Sequence, residues 1–289
     1  MSTDPDWFRF LRERADLEEI NFWRPGVRSL NMAKGTPWLF LIRETGQIWG
    51  CGYFSTFSYM PVGVAWDTFG PANGFDDYAS FVRKIAEIKR VPERNAGDVG
   101  CAVLSQPQYF DEPINYGPVG RVYGPITSID ARTEEGAYLR SAVARVQKPI
   151  GVSVIPSGQG QPVLVIPRLG QATFRIELEK QYQMRCAVTG ERTRPVLDAA
   201  HIKPYSLVKE HSLKNGLLLR KDIHKLFDDG YVTVSPERRF IVSKAIRDEF
   251  ENGRDYYALH GQEIRETVSS EFRPAPEYLE WHASTRFKG

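Results

Sequence analysis

Cysteine is scarce in this chain: there are three in 289 residues, Cys51, Cys101 and Cys186, and none sits in a Cys-x-x-Cys pair. That argues against a disulfide framework and against a four-cysteine zinc site, so no structural zinc is expected and a reducing compartment fits. Long hydrophobic runs are missing too. Nothing approaches the roughly 18 unbroken apolar residues of a membrane-spanning helix, so no membrane partner is expected. The opening Met1-Ser-Thr-Asp-Pro-Asp is polar and acidic where a secretory signal would be basic and then apolar, which points to a cytoplasmic protein. Internal repeats and low-complexity tracts are absent. So is an excess of one charge: 38 Lys and Arg stand against 36 Asp and Glu, a net charge of +2 that selects no partner by itself.

What is present supports folding. Hydrophobic residues make up 42% and aromatics 12% of the chain, enough for real cores, and the length accommodates two domains. Charge is also unevenly placed. From Arg185 to Lys221 there are eight basic residues against three acidic ones, a local positive field suited to phosphate contacts.

The first half reads as largely β. Pro37–Arg43 and Gln47–Phe54 are strand-like runs joined by a Glu-Thr-Gly turn. Phe75–Arg90 places Tyr78, Phe81, Val82, Ile85 and Ile88 at helical spacing, Val99–Leu104 reads as a buried strand, and Glu134–Val146 as a helix. Pro149–Gly170 turns rich in Pro, Gly and Ser, the composition of a connector. The expected division is therefore 1–150, a linker at 151–170, and 171–289, with Phe174–Met184 opening the last part as a helix.

The chemistry concentrates between Cys186 and Val234. A short strand over Val196–Ile202 precedes a loop to Asn215; Gly216 turns the chain, and Leu217–Leu219 returns as a second strand. Asp222 can cap a short helix that Gly230 ends. On it Ile223, Leu226 and Phe227 form a core stripe, while His224 and Asp228, four apart, share the other face. A histidine suits general-base work at neutral pH, and a divalent ion offsets charge growing on a phosphodiester.

His201, then Asn215 fourteen residues on, then His224 nine further, within the strings AAHIKP and NGLLLRKDIHKLFDDG, resembles the HNH nuclease family and its ββα-metal fold over roughly residues 170 to 260. The resemblance implies His201 as general base, Asn215 holding the loop that orients it, and His224 as the helix-borne metal ligand. It implies Mg2+ or Mn2+ as cofactor and DNA as substrate, with Lys203, Lys214, Arg220 and Lys221 as phosphate contacts. Many HNH sites carry an Asp directly before the first His; here that position is Ala200. Asp198 projects to the same side of a strand as Ala200 and is the candidate for the missing carboxylate, with Asp228 and Asp222 as rivals. Cys186 sits where some relatives begin a zinc pair, but its partner position is Thr189, so a buried thiol is expected. His211 reads as an exposed loop residue, and His260 and His282 as structural.

Phe22–Phe69 holds eleven aromatics in forty-eight residues, including four of the six tryptophans. By parity, Trp49, Cys51, Tyr53, Phe57 and Tyr59 share one strand face, with Gly50 and Gly52 on the other permitting close backbone approach. FWRPG, GCGYF and AWDTFG resemble the PUA-related superfamily, whose EVE and SRA modules accompany bacterial HNH nucleases. That resemblance implies an N-terminal PUA-like β-barrel with helices that flips a modified cytosine, 5-methylcytosine or 5-hydroxymethylcytosine, into an aromatic pocket. Trp23, Tyr53, Tyr59 and Trp66 are the candidate stackers, and Asp67 could accept from an exocyclic amine. The expected whole is an α+β, modification-dependent restriction endonuclease of a bacterial cytoplasm, cutting double-stranded DNA as a homodimer. An HNH enzyme reading unmodified DNA and a non-catalytic nucleic-acid-binding protein are the alternatives.

Overall fold

Asp4 starts the first helix as the sequence chemistry dictates: its Oδ1 accepts from the Asp6 and Trp7 amides at 2.9 and 3.1 Å, and Pro5 fills the first turn, where no amide is missed. The helix, α1 (Pro5–Arg12), turns Trp7, Phe8 and Leu11 inward, each burial worth roughly 1.5–3 kcal/mol. These observations come from a computed structural model that describes residues 2–42, 44–116, 128–146 and 169–289. The chain divides into two compact units, Met1–Ala172 and Thr173–Gly289. Most of the expected 151–170 linker lies outside the described residues.

Among the described residues, the first unit is built on one sheet of five strands: β1 (Ser2–Thr3), β2 (Glu19–Arg24), β3 (Pro37–Ile42), β4 (Gln47–Pro61) and β5 (Asp98–Asn115). They lie in the order β1-β3-β4-β5-β2, antiparallel except for the β1–β3 pair. The edges β1 and β2 do not pair, so among the described residues the expected barrel is an open sheet. Helices α2 (Val62–Phe69), α3 (Tyr78–Lys89) and α4 (Glu134–Val146) also belong to the unit, α4 with the bounds its periodicity predicts. Asp77 caps α3, and Arg90 ends it in the left-handed region at φ 56°.

The sheet carries one apolar cluster around Trp7, Ile20, Trp38, Phe40, Phe54 and Leu104, and a second around Leu41, Ile48, Cys51, Phe110 and Leu139. The parity expected along β4 does not hold. Its pairing with β5 shifts between Ile48 and Gly50, between Cys51 and Tyr53, and between Phe54 and Thr56. The run is therefore not one continuous alternation: Trp49 packs with the first cluster and Cys51 belongs to the second. The close approach at Gly50 and Gly52 is made by the protein itself. A Cβ on Gly50 would lie 2.5 Å from the Gln108 carbonyl oxygen and 2.8 Å from the Phe40 ring, and one on Gly52 would lie 3.2 Å from Leu104 Cβ.

The second unit contains α5 (Gln171–Gln181) for most of its length, then β6 (Leu197–His201), α6 (Tyr205–Val208), β7 (Gly216–Arg220) and α7 (Lys221–Asp228). Strands β8 (Val232–Val234) and β9 (Phe240–Val242) and helices α8 (Ala245–Phe250), α9 (Arg254–Tyr257) and α10 (Pro276–Thr285) follow. β6 and β7 form an antiparallel ribbon, and α7 leaves directly from the end of β7, the strand–strand–helix order read from the sequence. Gly216 is extended (φ −137°) and opens β7. It is needed for packing, because a Cβ there would reach 2.6 Å from Leu178 and 2.8 Å from Phe174 on α5. Gly230, at φ +78°, ends α7 as expected. The buried His282 on α10 ties this end down: Nε2 donates to the Phe227 carbonyl at 3.0 Å, Nδ1 lies 2.8 Å from Thr233 Oγ1, and the ring stacks on Phe227 at 3.6 Å. His260 accepts from the Val242 amide.

Candidate active site

His201 is the last residue of β6, paired with Gly216 of β7. Its ring lies flat on Phe174 of α5, with centroids 4.2 Å apart and planes 11° apart. Its Nε2 faces His211 Nδ1 at 3.0 Å. His211 is not the exposed loop residue expected. It is 9% exposed and stacked on Tyr205 of α6 at 4.3 Å. Burial first, then His211 and His224, push the His201 imidazole down to about 4, so the ring is neutral at neutral pH and able to accept a proton.

Asn215 is fully buried, and its amide spans the loop. Oδ1 accepts from the Lys203 amide and Nδ2 donates to the Lys203 carbonyl, both at 2.8 Å, while its own carbonyl accepts from Ile202 N at 3.0 Å. Three hydrogen bonds thus fix the two residues following His201. Losing a buried bond of this kind leaves its partner orphaned, at a cost of about 1–3 kcal/mol.

His224, on α7, is flanked by two carboxylates on different edges of its ring. Asp198 Oδ2 is 3.4 Å from Nδ1, and Asp228 Oδ2 is 3.4 Å from Nε2. The lone-pair directions of the two nitrogens diverge, so these carboxylates do not converge on one point. Among the described residues no group of three His, Cys, Asp or Glu side chains is placed to hold a metal ion. Asp198, the candidate carboxylate, and its rival Asp228 thus lie on different edges of the His224 ring and do not form one cluster with it. A pair of oxygen and imidazole donors, Asp198 with His224, does fit a hard divalent ion that keeps its remaining positions for water and phosphate oxygens.

Asp198 is held from behind by α5. Arg175 Nη1 lies 3.3 Å from Asp198 Oδ1, and Nη2 donates to the Leu197 carbonyl at 3.0 Å. Burial works to raise the Asp198 carboxyl, but the His224 hydrogen bond and the charges of Arg175, His224 and Lys221 hold it below the usual range. Glu179 continues the chain between Arg175 (3.5 Å) and Arg194 (2.5 Å). Phe174, Arg175 and Glu179 were not singled out in the sequence; the signal available was only that α5 directly precedes the motif.

The other candidates separate. Asp222 does not cap α7, since Arg220 is the capping residue and uses no side chain to do so. Asp222 is instead paired with Arg220 at 2.6 and 2.7 Å and accepts from Tyr256 at 3.2 Å. Lys214 and Lys221 are exposed, and Lys203 Nζ lies over the Trp281 ring at 5.5 Å. Cys186 is buried, its Sγ accepting from the Thr189 and Arg220 amides.

In the first unit, Tyr53 is buried within the sheet and Tyr59 is half-buried beneath Arg28. Trp23 and Trp66 come together around Phe81, at 5.5 and 6.0 Å, but the Trp23 Nε1 is committed to the Asn73 carbonyl at 2.8 Å. Trp66 also meets Tyr78, which is 47% exposed, and Asp67 stands exposed beside it on α2.

Residues 186–235 match the HNH endonuclease family, so the motif, the ribbon and the helix just described form an HNH endonuclease domain and the chain is a metal-dependent nuclease. No curated protein matches the chain. Among solved structures, two variants of the ASCH protein of Zymomonas mobilis share 15% and 16% identity with it. Each covers 50% of this chain, and 93% and 95% of the ASCH chains is covered, with TM-scores of 0.34 and 0.35. The modification-dependent restriction endonuclease TagI shares 16% identity over 66% of this chain and 47% of its own, with a TM-score of 0.28. Similarity this distant assigns neither fold nor substrate. Among the described residues, no helix is long and apolar enough to cross a membrane.

Proposed function

We propose that the protein is a modification-dependent DNA restriction endonuclease, in which the HNH domain hydrolyses the phosphodiester and the N-terminal unit reads a modified cytosine in double-stranded DNA. The observation that carries the nuclease half is the convergence on one ribbon and helix of a neutral, stacked His201, a loop clamped by Asn215, and the Asp198–His224 pair. In this reading His201 is the general base, Asn215 orients it, and Asp198 and His224 would hold Mg2+ or Mn2+, with Asp228 outside the ligand pair. Bound there, the ion supplies Lewis-acid stabilisation of charge on the phosphate and the leaving oxygen. His201 takes the proton of the attacking water, while Lys214 and Lys221 hold the DNA backbone. One such site cuts one strand, so a double-strand break calls for a homodimer. Its place of work in this reading is a bacterial cytoplasm, where incoming DNA is met.

Support for the reading half is the partly exposed cluster of Trp66, Tyr78 and Trp23 with Asp67 at its edge. Stacking of an extruded base on such rings returns about 1–3 kcal/mol, against an extrusion cost of a few kcal/mol. Tyr53 does not serve here, being core. The test is cleavage by the full chain, with Mg2+ or Mn2+, of plasmids that differ only in cytosine modification. Preferential cutting of 5-methylcytosine or 5-hydroxymethylcytosine DNA is expected; equal cutting of all plasmids assigns the enzyme to unmodified DNA, and no cutting refutes the nuclease assignment.

A further inference from the structure

His211 lies in the loop between α6 and Asn215, on none of the motif positions, yet its Nδ1 is 3.0 Å from Nε2 of His201. The contact is held from both sides. Phe174 lies flat on the His201 ring, and Tyr205 lies flat on the His211 ring at 15° between planes. Two facing ring nitrogens share one hydrogen, which leaves two arrangements of the neutral pair. If His211 donates, His201 carries its own proton on Nδ1 and spends its single lone pair on His211, so nothing remains to take a proton from water. If His201 donates through Nε2–H, its Nδ1 keeps a lone pair.

We infer that His211 is a positioning residue for the nuclease reaction: its Nδ1 accepts from His201 Nε2–H and so holds the base in the tautomer whose Nδ1 takes the proton of the attacking water. This rests on His201 being the general base. In the step itself, the water oxygen forms the bond to phosphorus as its O–H bond breaks and that proton passes to His201 Nδ1. The bond to the leaving oxygen breaks with its electron pair on that oxygen, which takes up a proton from solvent. His201 becomes an imidazolium whose Nε2–H bond to His211 is now charge-assisted and stronger than in the ground state. His201 later returns its proton to solvent.

The test uses the full chain with two substitutions. His211→Phe keeps a ring against Tyr205 but has no acceptor, whereas His211→Asn offers a carbonyl oxygen close to the place of Nδ1. His211→Phe should lower kcat about 10–100-fold, the range for partners that orient a working group, with KM for DNA and Tm unchanged. His211→Asn should recover most of that loss, which a purely packing role would not allow. Independently of cleavage, 15N NMR of histidine-labelled protein, with five histidines to resolve, should show wild-type His201 protonated on Nε2 and a mixture of tautomers in His211→Phe. Wild-type kcat in His211→Phe, or His201 protonated on Nδ1 in the wild type, overturns the inference. If His211→Phe does not fold, the wild-type tautomer decides alone. A wild type that cuts no DNA defeats the nuclease reading instead, and the spectrum still reports on the pairing.

Discussion

In the C-terminal unit aromatic rings lie flat on imidazoles: Phe174 on His201, Tyr205 on His211 and Phe227 on His282, with planes within 15° of parallel. In the N-terminal unit they meet one another, many edge to face, as Trp7 does with Phe22 and Phe40, and Phe22 with Trp38. Flat stacking fixes a ring's plane while leaving its nitrogens in that plane for hydrogen bonds. Edge-to-face packing fills volume and satisfies the ring quadrupoles. The same residue types therefore orient chemistry in one unit and build a core in the other, and aromatic abundance alone does not distinguish the two uses.

The largest expected effects lie in the C-terminal unit. Asp198→Ala and His224→Ala should each cut DNA cleavage about 100-fold or more at saturating DNA, as partners in metal binding do, with little change in Tm. Asp228→Ala should stay within a few-fold of wild type. An Asp228→Ala loss as deep as that of Asp198→Ala would move the ligand pair to the other edge of the His224 ring, and rate measurements across a Mg2+ titration distinguish the two.

The N-terminal unit should answer differently. Tyr53→Ala opens a cavity in the sheet and should cost roughly 3 kcal/mol of stability, weakening modified and unmodified DNA alike. Trp66→Ala should leave Tm nearly unchanged and remove about 1–3 kcal/mol of binding to modified DNA only. Paired melting and affinity measurements test this. Loss of the affinity ratio without loss of stability marks pocket; the reverse marks core.

A smaller effect tests how tightly the stacked histidines are held. Burial, opposed by the Phe227 hydrogen bond, pushes His282 down to about 4 in the folded protein, against about 6.5 unfolded. A depressed histidine stabilises the fold fully above the unfolded value, and that stability is lost as pH falls toward the folded one. Between about pH 7 and about pH 5 His282 should therefore cost about 2 kcal/mol. Urea unfolding of wild type and His282→Gln at both pH values checks it: the drop should be smaller in the variant.

The elements that carry the candidate site were legible because they are short and regular, with rigid spacing. Strand β6 and the i, i+4 step on α7 convert sequence separation into geometry, so Asp198, His201 and His224 could be placed on their elements by counting, while Asn215, at the end of the loop before β7, was read from the resemblance. Counting failed where geometry is irregular. Three register shifts broke the parity argument along β4 and scattered the proposed stacking face. His211 lies in a loop, where separation says nothing of direction, and only its ring contacts reveal that it faces the base. Arg175 and Phe174 enter the site from a helix outside the motif, a tertiary contact with no local signature. The barrel expected from resemblance gave way to an open sheet among the described residues, since strand content does not determine closure.

The central claim, that His201 in this HNH domain drives metal-dependent hydrolysis of DNA, is tested most directly by nicking of supercoiled plasmid. EDTA-stripped wild type and His201→Ala would be assayed side by side as Mg2+ or Mn2+ is added back. The account predicts no nicking without metal and restored nicking by wild type. His201→Ala should remain about 10²–10⁴-fold slower at equal DNA binding, as loss of a general base requires. Metal-independent nicking, or a His201→Ala rate within about tenfold of wild type, would contradict it.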